Sequence, residues 1–509
     1  MDELLSERYS QELDGVLSCY DRVVITGNIQ SFCYAEGMTH YLYQQGIRIF
    51  DYAKFAAPLR ERIRENAEAL AEAHGVKIEF VRKKDFRKES RIQKILKERG
   101  EQPGLVHIFG CMEFCSSYRP WHNKTTGKTY LKPDHSKCMT YYFYFIDEQL
   151  GLCYLRVPTW SPFRLQFYFN GHNWLANKLK ERGIAYEMVD NAFIHIADYA
   201  AANQLANEFD VEILHLRLDE FARQYCPVVT DLNLRYHWSI MQTEYATDLV
   251  FKKRDSLQAF YPHLLETLTH AVKPADIATF LGRKLNGNYQ GEMGNRFNKR
   301  WLGTRIKHQM GPLSIKMYDK FRFILRIETI VNNVSFFQHY RKVQHRDGST
   351  STCWAPMKKT IHSLPALREL LSSANHRYLK FISSIATPQV GVEKLHKLAE
   401  TKTENQHRHK GFNLFSEEDT YLFRSLLQGE FFISGFTNKQ LRSQYLSDKS
   451  ASQVTRLLKR LRVHGLIKKV GKRYKYYLTD FGREAVSMAL KLREMVVIPT
   501  LAFAANSPA

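Results

Sequence analysis

The stretch from residue 452 to residue 478 constrains this chain most, because an amphipathic helix pattern there runs straight into two short strands. Val454, Leu457, Leu458 and Leu461 recur at i, i+3, i+4 and i+7, the spacing of one buried helical stripe, and Gly465 ends the run. Residues 466–470 and 474–478 then read as strands about a turn at 471–473. Upstream, Ser416 with Glu417, Glu418 and Asp419 marks a helix start, as do Thr437 and Gln440 at capping-box spacing. A closing helix follows from Phe481. So short a helix can bury its stripe only against its neighbours, so these elements must form one small body.

Helix, turn, basic helix, two-stranded wing and closing helix describe a winged helix-turn-helix domain, expected over 412–495. The polar faces of its third helix carry Arg456, Lys459, Arg460 and Arg462, and the wing carries Lys468, Lys469, Lys472 and Arg473. Between Asn438 and Leu478 twelve Lys or Arg stand against one acid, Asp448. These are the two surfaces that such a domain offers to a duplex, the helix in the major groove and the wing beside it. The run from Leu457 through Lys469, with Leu478-Thr-Asp-Phe-Gly482, resembles MarR-type winged helices. That resemblance covers only this segment; it implies DNA binding and a homodimer formed through this region, and such a chain would be a transcriptional regulator.

The whole chain agrees with a polyanionic partner. Its 509 residues carry 74 Lys and Arg against 52 Asp and Glu, a formal net charge of +22. No apolar run reaches the length of a membrane span and no signal-peptide pattern opens the chain, which favours nucleic acid, DNA or RNA, over a membrane. Eight scattered cysteines fit reduced thiols in a cytoplasm. The expected fold class is α/β to α+β: a mixed-sheet body, a basic antiparallel sheet and the winged helix. Residues 1–230 read as an α/β body without an assigned role, with strand–helix–strand alternation over the first 110 or so. Residues 231–400 read as an aromatic helical stretch (about 230–275) followed by a basic β-sheet. The polar stretch 401–411 reads as a linker.

Three strands at 303–308, 314–320 and 325–329 carry a second signal. Alternation sends Ile306, Ile315, Met317, Leu325 and Ile327 inward, and Arg305, Lys307, Lys316, Tyr318, Lys320, Arg326 and Glu328 to the other face. With Lys299, Arg300 and Trp301 just upstream, this is a candidate phosphate-binding sheet. A sharper reading makes Tyr318 a nucleophile, with Lys316, Lys320 and Arg326 stabilising phosphoryl charge and Asp319 and Glu328 holding Mg or Mn. The segment from Lys316 to Glu328 resembles rolling-circle replication initiators, which implies a metal-dependent tyrosine nickase. The chain departs from that family in lacking a His-hydrophobe-His motif and in placing Lys320 two residues after Tyr318. Cys111, Cys115, His135 and Cys138, with His122 as a fifth candidate, could enclose zinc, although buried structural cysteines are the simpler reading. Asp21, Asp147 and Asp248 could serve a metal-dependent nuclease, but lone acids at strand ends are more commonly surface or capping residues. The combined expectation is a protein handling DNA or a DNA/RNA complex in a mobile-element or replication setting. The alternatives are a non-enzymatic RNA-binding scaffold of a ribonucleoprotein, the nickase, and the regulator.

Overall fold

The computed structural model describes residues 4–83, 85–284, 291–300, 303–385, 389–428, 431, 434–470 and 474–505. The chain is mixed α/β and divides into two compact units, Met1–Ala386 and Thr387–Ala509.

In chain order the first unit holds β1 (Leu13–Ile29), β2 (Ile78–Val81), β3 (Gly104–His122), β4 (Thr129–Asp147), β5 (Gly151–Pro158), β6 (Leu165–Asn170), β7 (Tyr186–Val189), β8 (Ala192–Ile196), β9 (Tyr236–Phe251), β10 (Met293–Arg300), β11 (Gly303–Met310), β12 (Leu313–Lys320) and β13 (Ile324–Val331). Eleven of these form one sheet in the order β10-β11-β12-β13-β9-β1-β6-β5-β4-β3-β2, and β7 pairs with β8 separately. Only β2 and β3 run parallel, so the strand–helix–strand logic of the first 110 residues holds at one edge and the remaining neighbours are antiparallel. The expected divide at residue 230 does not exist as a break, because β9 hydrogen-bonds to β1 on one side and β13 on the other.

Residues 236–251 are strand where a mostly helical stretch was expected. Tyr236, Trp238 and Ile240 are buried and alternate with His237, Ser239 and Met241, which are not, a two-residue period that identifies a strand.

Both faces of β12 and β13 are buried. Helix Leu364–Ile385 covers one face. Its buried Asn375 amide donates to Tyr245 O and Thr247 Oγ1, each at 3.1 Å, and accepts from Thr329 Oγ1 at 2.6 Å. On the other face lie helix Gly171–Glu181 and the β7–β8 hairpin, which supply His172 and Asn191. The helix approaches β1 closely at Gly171, where an added Cβ would stand 2.1 Å from Tyr20 O.

In the second unit, helices Glu417–Leu426, Asn438–Tyr445, Ala451–Val463 and Asp480–Leu492 surround a three-stranded sheet. The strands lie in the order Phe436–Thr437, Lys475–Leu478, Ile467–Val470. Ser416, Thr437 and Ser450 cap the first three helices, each hydroxyl accepting a backbone N–H at 3.3 Å from Asp419, Gln440 and Gln453 respectively. Val454, Leu458 and Leu461 are buried and Leu457 packs beside them, so the stripe meets the core as its spacing predicts. Complete burial of each such side chain contributes about 1.5–3 kcal/mol. Gly482 is required where the last helix meets the sheet, since a Cβ there would lie 1.9 Å from Leu466 O.

Residues 401–411, expected as a linker, instead form a hairpin of Lys402–Glu404 with His407–His409 inside this unit. The flanking Leu398 and Phe412 join the core, and Arg460 donates to Lys410 O at 2.9 Å and Gly411 O at 2.6 Å. No helix among the described residues is long and apolar enough to cross a membrane.

Candidate functional site

Strand alternation brings Lys316, Tyr318, Arg326 and Glu328 onto one face, and pairing adds Glu244 and Asp248 from β9 and Asp21 from β1. Arg326 is the hub and has no exposed surface. Its Nε donates to Asp248 Oδ1 at 2.7 Å and its Nη2 to Oδ2 at 2.6 Å, a two-point grip on the carboxylate. Nη1 reaches Asp21 Oδ2 at 3.2 Å, while Nη2 also contacts His172 Nε2 and Asn191 O, both at 3.1 Å. Asp21 Oδ1 accepts from Asn170 and Asn191 at 2.7 Å each, and Asn170 also caps the helix that carries His172. Burial alone would raise the Asp248 pKa. The guanidinium outweighs it, with His172 assisting, and holds the carboxyl at about 2. Asp21 is held down in the same way.

The second half of the cluster is Lys316, Glu244 and Glu328. Lys316 Nζ donates to Glu328 Oε2 at 2.8 Å and to Glu244 Oε2 at 3.4 Å. Carboxylate oxygens of Asp21, Glu244 and Glu328 lie within 4.8 Å of one another, close enough to ligate one cation. The Lys316 ammonium already supplies positive charge to two of these groups. Burial, more than Lys316 can offset, pushes Glu328 up to about 8, and Glu244 and Asp21 add repulsion.

The three basic strands were expected to offer their cations to phosphate, and the central ones do not. Lys316, Lys320 and Arg326 serve internal partners: carboxylates for Lys316 and Arg326, and the Asn191 side chain, with Asp190 3.8 Å away, for Lys320. Tyr318, only 6 % exposed, donates to Glu328 Oε2 at 3.5 Å, and burial drives its phenol pKa well above the ordinary value. No DNA backbone can reach a phenol so enclosed, and its proton is held harder than in water, which removes Tyr318 as a nucleophile in this conformation. Asp319 is no partner for Glu328, because the odd position turns it to the other face, where Gln258 donates to its Oδ2 at 3.3 Å. The expected metal pair therefore does not assemble, and the acids that gather beside Glu328 are Asp21 and Glu244.

The outer end of the sheet differs. Arg296, Lys307, Lys316 and Glu328 are direct cross-strand partners, a row leading from exposed cation to buried acid. Lys307 is half-buried, and no carboxylate pairs with it among the described residues. Burial lowers its pKa, with Lys316, Arg305 and Arg296 adding repulsion. Arg305 is half-buried on the same face. Trp301 lies outside the described residues, as do the side chains of Lys299 and Arg300.

No family model matches the chain, and no curated protein does. The functional reading therefore stands on the chain's own geometry.

Further candidates separate in the structure. Cys111, Cys115 and Cys138 share one face of β3–β4, but His135 is three residues from Cys138 on the same strand and points to the other face, so the expected zinc set does not assemble. Instead Cys115 and Cys138 converge on Thr140 Oγ1, at 3.5 and 3.9 Å. All eight cysteines are free. Asp147 stands apart from Asp21 and Asp248, pairing with Arg217 and accepting from Gln149 N at 3.0 Å and Leu150 N at 2.9 Å. Among the described residues, Glu212, His215 and His362 form the other group of metal-type ligands within 4.8 Å, on the surface.

In the second unit, Arg456 on helix Ala451–Val463 and Lys468 and Lys469 on the adjoining strand are exposed and pair with no carboxylate among the described residues. Arg460 is different. It grips Asp419 at 2.8 and 3.0 Å and lies over the Phe412 ring at 3.9 Å, a structural role. Arg462 and Lys459 lean on Glu404 at 3.3 and 3.9 Å. Lys472 and Arg473 lie outside the described residues. Sequence patterns missed Glu244 and His172. Glu244's even spacing from Asp248 on a strand was the available signal, hidden by reading 230–275 as helical.

Proposed function

We propose that this protein binds nucleic acid through a winged helix-turn-helix module formed by its second unit. The observation that carries this reading is the exposed cationic surface of Arg456, on a helix whose Val454, Leu458 and Leu461 are buried, and of Lys468 and Lys469, on a strand anchored by the buried Ile467. The element order supports it too: helix, short strand, helix, helix, two-stranded hairpin and helix, with the short strand completing the sheet. Ser452, Gln453, Thr455 and Arg456 are exposed on the first turns of helix Ala451–Val463. Such side chains read base edges in a major groove, while wing lysines neutralise the flanking phosphates.

The large sheet of the first unit adds a second, smaller phosphate contact at Arg296, Arg305 and Lys307. Its buried charge cluster is an organising core rather than a surface for the ligand. Fluorescence anisotropy with labelled duplex DNA and duplex RNA across a salt series tests the proposal. A steep fall in affinity with salt is expected, with a slope near −0.9 per phosphate neutralised on DNA. Affinity that ignores both salt and the Lys468→Glu/Lys469→Glu change would reject it.

A further inference from the structure

Strands β14 (Gln338–Gln344) and β15 (Thr350–Pro356) form a two-stranded hairpin outside the large sheet. Their register pairs Tyr340 with Trp354, ring centroids 5.8 Å apart and planes inclined by 56°. Both rings face solvent, Tyr340 at 57 % and Trp354 at 69 % exposure. Gln338, Lys342, Gln344, Thr350 and Thr352 share their face and are all exposed. The other face is anchored: Ala355 is buried, and the Arg341 guanidinium donates to Pro356 O at 3.2 and 3.1 Å. An isolated hairpin is marginal in water, and an exposed indole beside an exposed phenol forgoes the burial that makes aromatics useful to a fold. As cross-strand partners they add about 0.2–1 kcal/mol to the hairpin, and most of both rings is left uncovered.

Charge identifies what would cover it. From Gln338 to Lys359 the chain carries five cations, Arg341, Lys342, Arg346, Lys358 and Lys359, against one acid, Asp347. The Asp347 carboxylate is occupied in the turn, accepting from Ser349 N at 3.0 Å and Ser349 Oγ at 2.7 Å. Among the described residues none of the five cations pairs with a carboxylate. The partner must then offer flat apolar faces and repeated negative charge together. A duplex hides its base faces; a single strand exposes them beside its phosphates. Rings inclined to each other suit two splayed bases better than one.

We propose that Tyr340 and Trp354 form a stacking platform for unpaired nucleobases of single-stranded DNA or RNA, with Lys342 and Arg346 taking the adjoining phosphates. This site lies in the first unit and does not depend on the winged-helix reading. The test uses the full chain, with labelled oligothymidylate, oligouridylate and a mixed-sequence duplex followed by anisotropy and by tryptophan fluorescence. Either oligonucleotide should quench the wild-type fluorescence. Trp354→Ala and Tyr340→Ala should each weaken single-strand binding about tenfold and leave duplex affinity and the thermal midpoint unchanged. Trp354→Phe should retain most of the affinity, and Lys342→Glu should lower it with a smaller salt slope. Lys468→Glu/Lys469→Glu should do the reverse, losing duplex before single strand, so failure of one site is distinguishable from failure of the other. Absence of single-strand binding by the wild type overturns the proposal, and so does equal loss on duplex and single strand. A Trp354→Phe protein as weak as Trp354→Ala overturns it as well, because a ring would then not suffice.

Discussion

The cations of β11–β13 and those of residues 451–478 look alike in sequence and meet opposite fates. In the sheet, Lys316 and Arg326 are buried against carboxylates. On the helix and hairpin, Arg456, Lys468 and Lys469 stay in water, without such partners among the described residues. A density of Lys and Arg reports how many positive charges there are, not what neutralises them. In the sheet the answer comes from Asp21, Glu244 and Asp248, which only long-range pairing brings to β13. Where no such acids arrive, the charge stays exposed to water, which is what the proposed nucleic-acid contact requires.

Arg326 offers the hardest test of that contrast. Replacing it with Met leaves Asp248 and Asp21 buried without their main counter-charge, and removing one partner of a buried pair costs about 3–5 kcal/mol. Urea unfolding should reveal a loss of that size in the first unit; a loss below roughly 1 kcal/mol would mean that solvent already reaches the cluster. Arg460→Ala should come next. It removes charge-assisted hydrogen bonds to Asp419 and the contacts to Lys410 O and Gly411 O, so the second unit should lose about 1.5–3 kcal/mol. Nucleic-acid affinity at a temperature where the unit stays folded should barely change. Equal damage to affinity by Arg460→Ala and Arg456→Ala would erase the distinction between structural and ligand-facing cations on this helix. Lys468→Glu/Lys469→Glu should give the mirror image: duplex affinity down about tenfold or more, with the unfolding midpoint unmoved.

The elements that could be read from sequence are those whose signals are local. Ser416 and Thr437 are caps, and the stripe on helix Ala451–Val463 is buried. The three strands around Tyr318 carry Lys316, Tyr318, Arg326 and Glu328 on one face as alternation requires. Whether that face is wet depends on helix Gly171–Glu181 and the β7–β8 hairpin, and nothing in the strands themselves announces those. The same limit hid Glu244 and His172, and it made the polar stretch 401–411 look like a linker when Phe412 and Arg460 tie it down. His135 shows the converse. Its spacing to Cys138 suits a metal in a loop, but on a regular strand an odd offset separates the two across the sheet.

Protonation of Glu328 gives the finest discrimination between a buried acid and a solvent-facing one. Its pKa is raised from 4.5 to about 8, so the folded protein keeps a proton that the unfolded chain releases above about 4.5. The stabilisation linked to that proton is complete below about 4.5 and is lost as pH rises through 8. Asp248 works in the opposite direction and elsewhere: held at about 2, it adds stability above its ordinary value near 3.8, and that contribution disappears in acid. Between about pH 5 and 8 the Glu328 slope should therefore appear alone among these two. Lys316, 2.8 Å away, gains a charged partner as Glu328 ionises, an attraction that already works against the upward shift. Glu328→Gln should flatten that part of the stability–pH curve and leave the acid limb in place. A slope that persists in Glu328→Gln would overturn the assignment of that proton to Glu328.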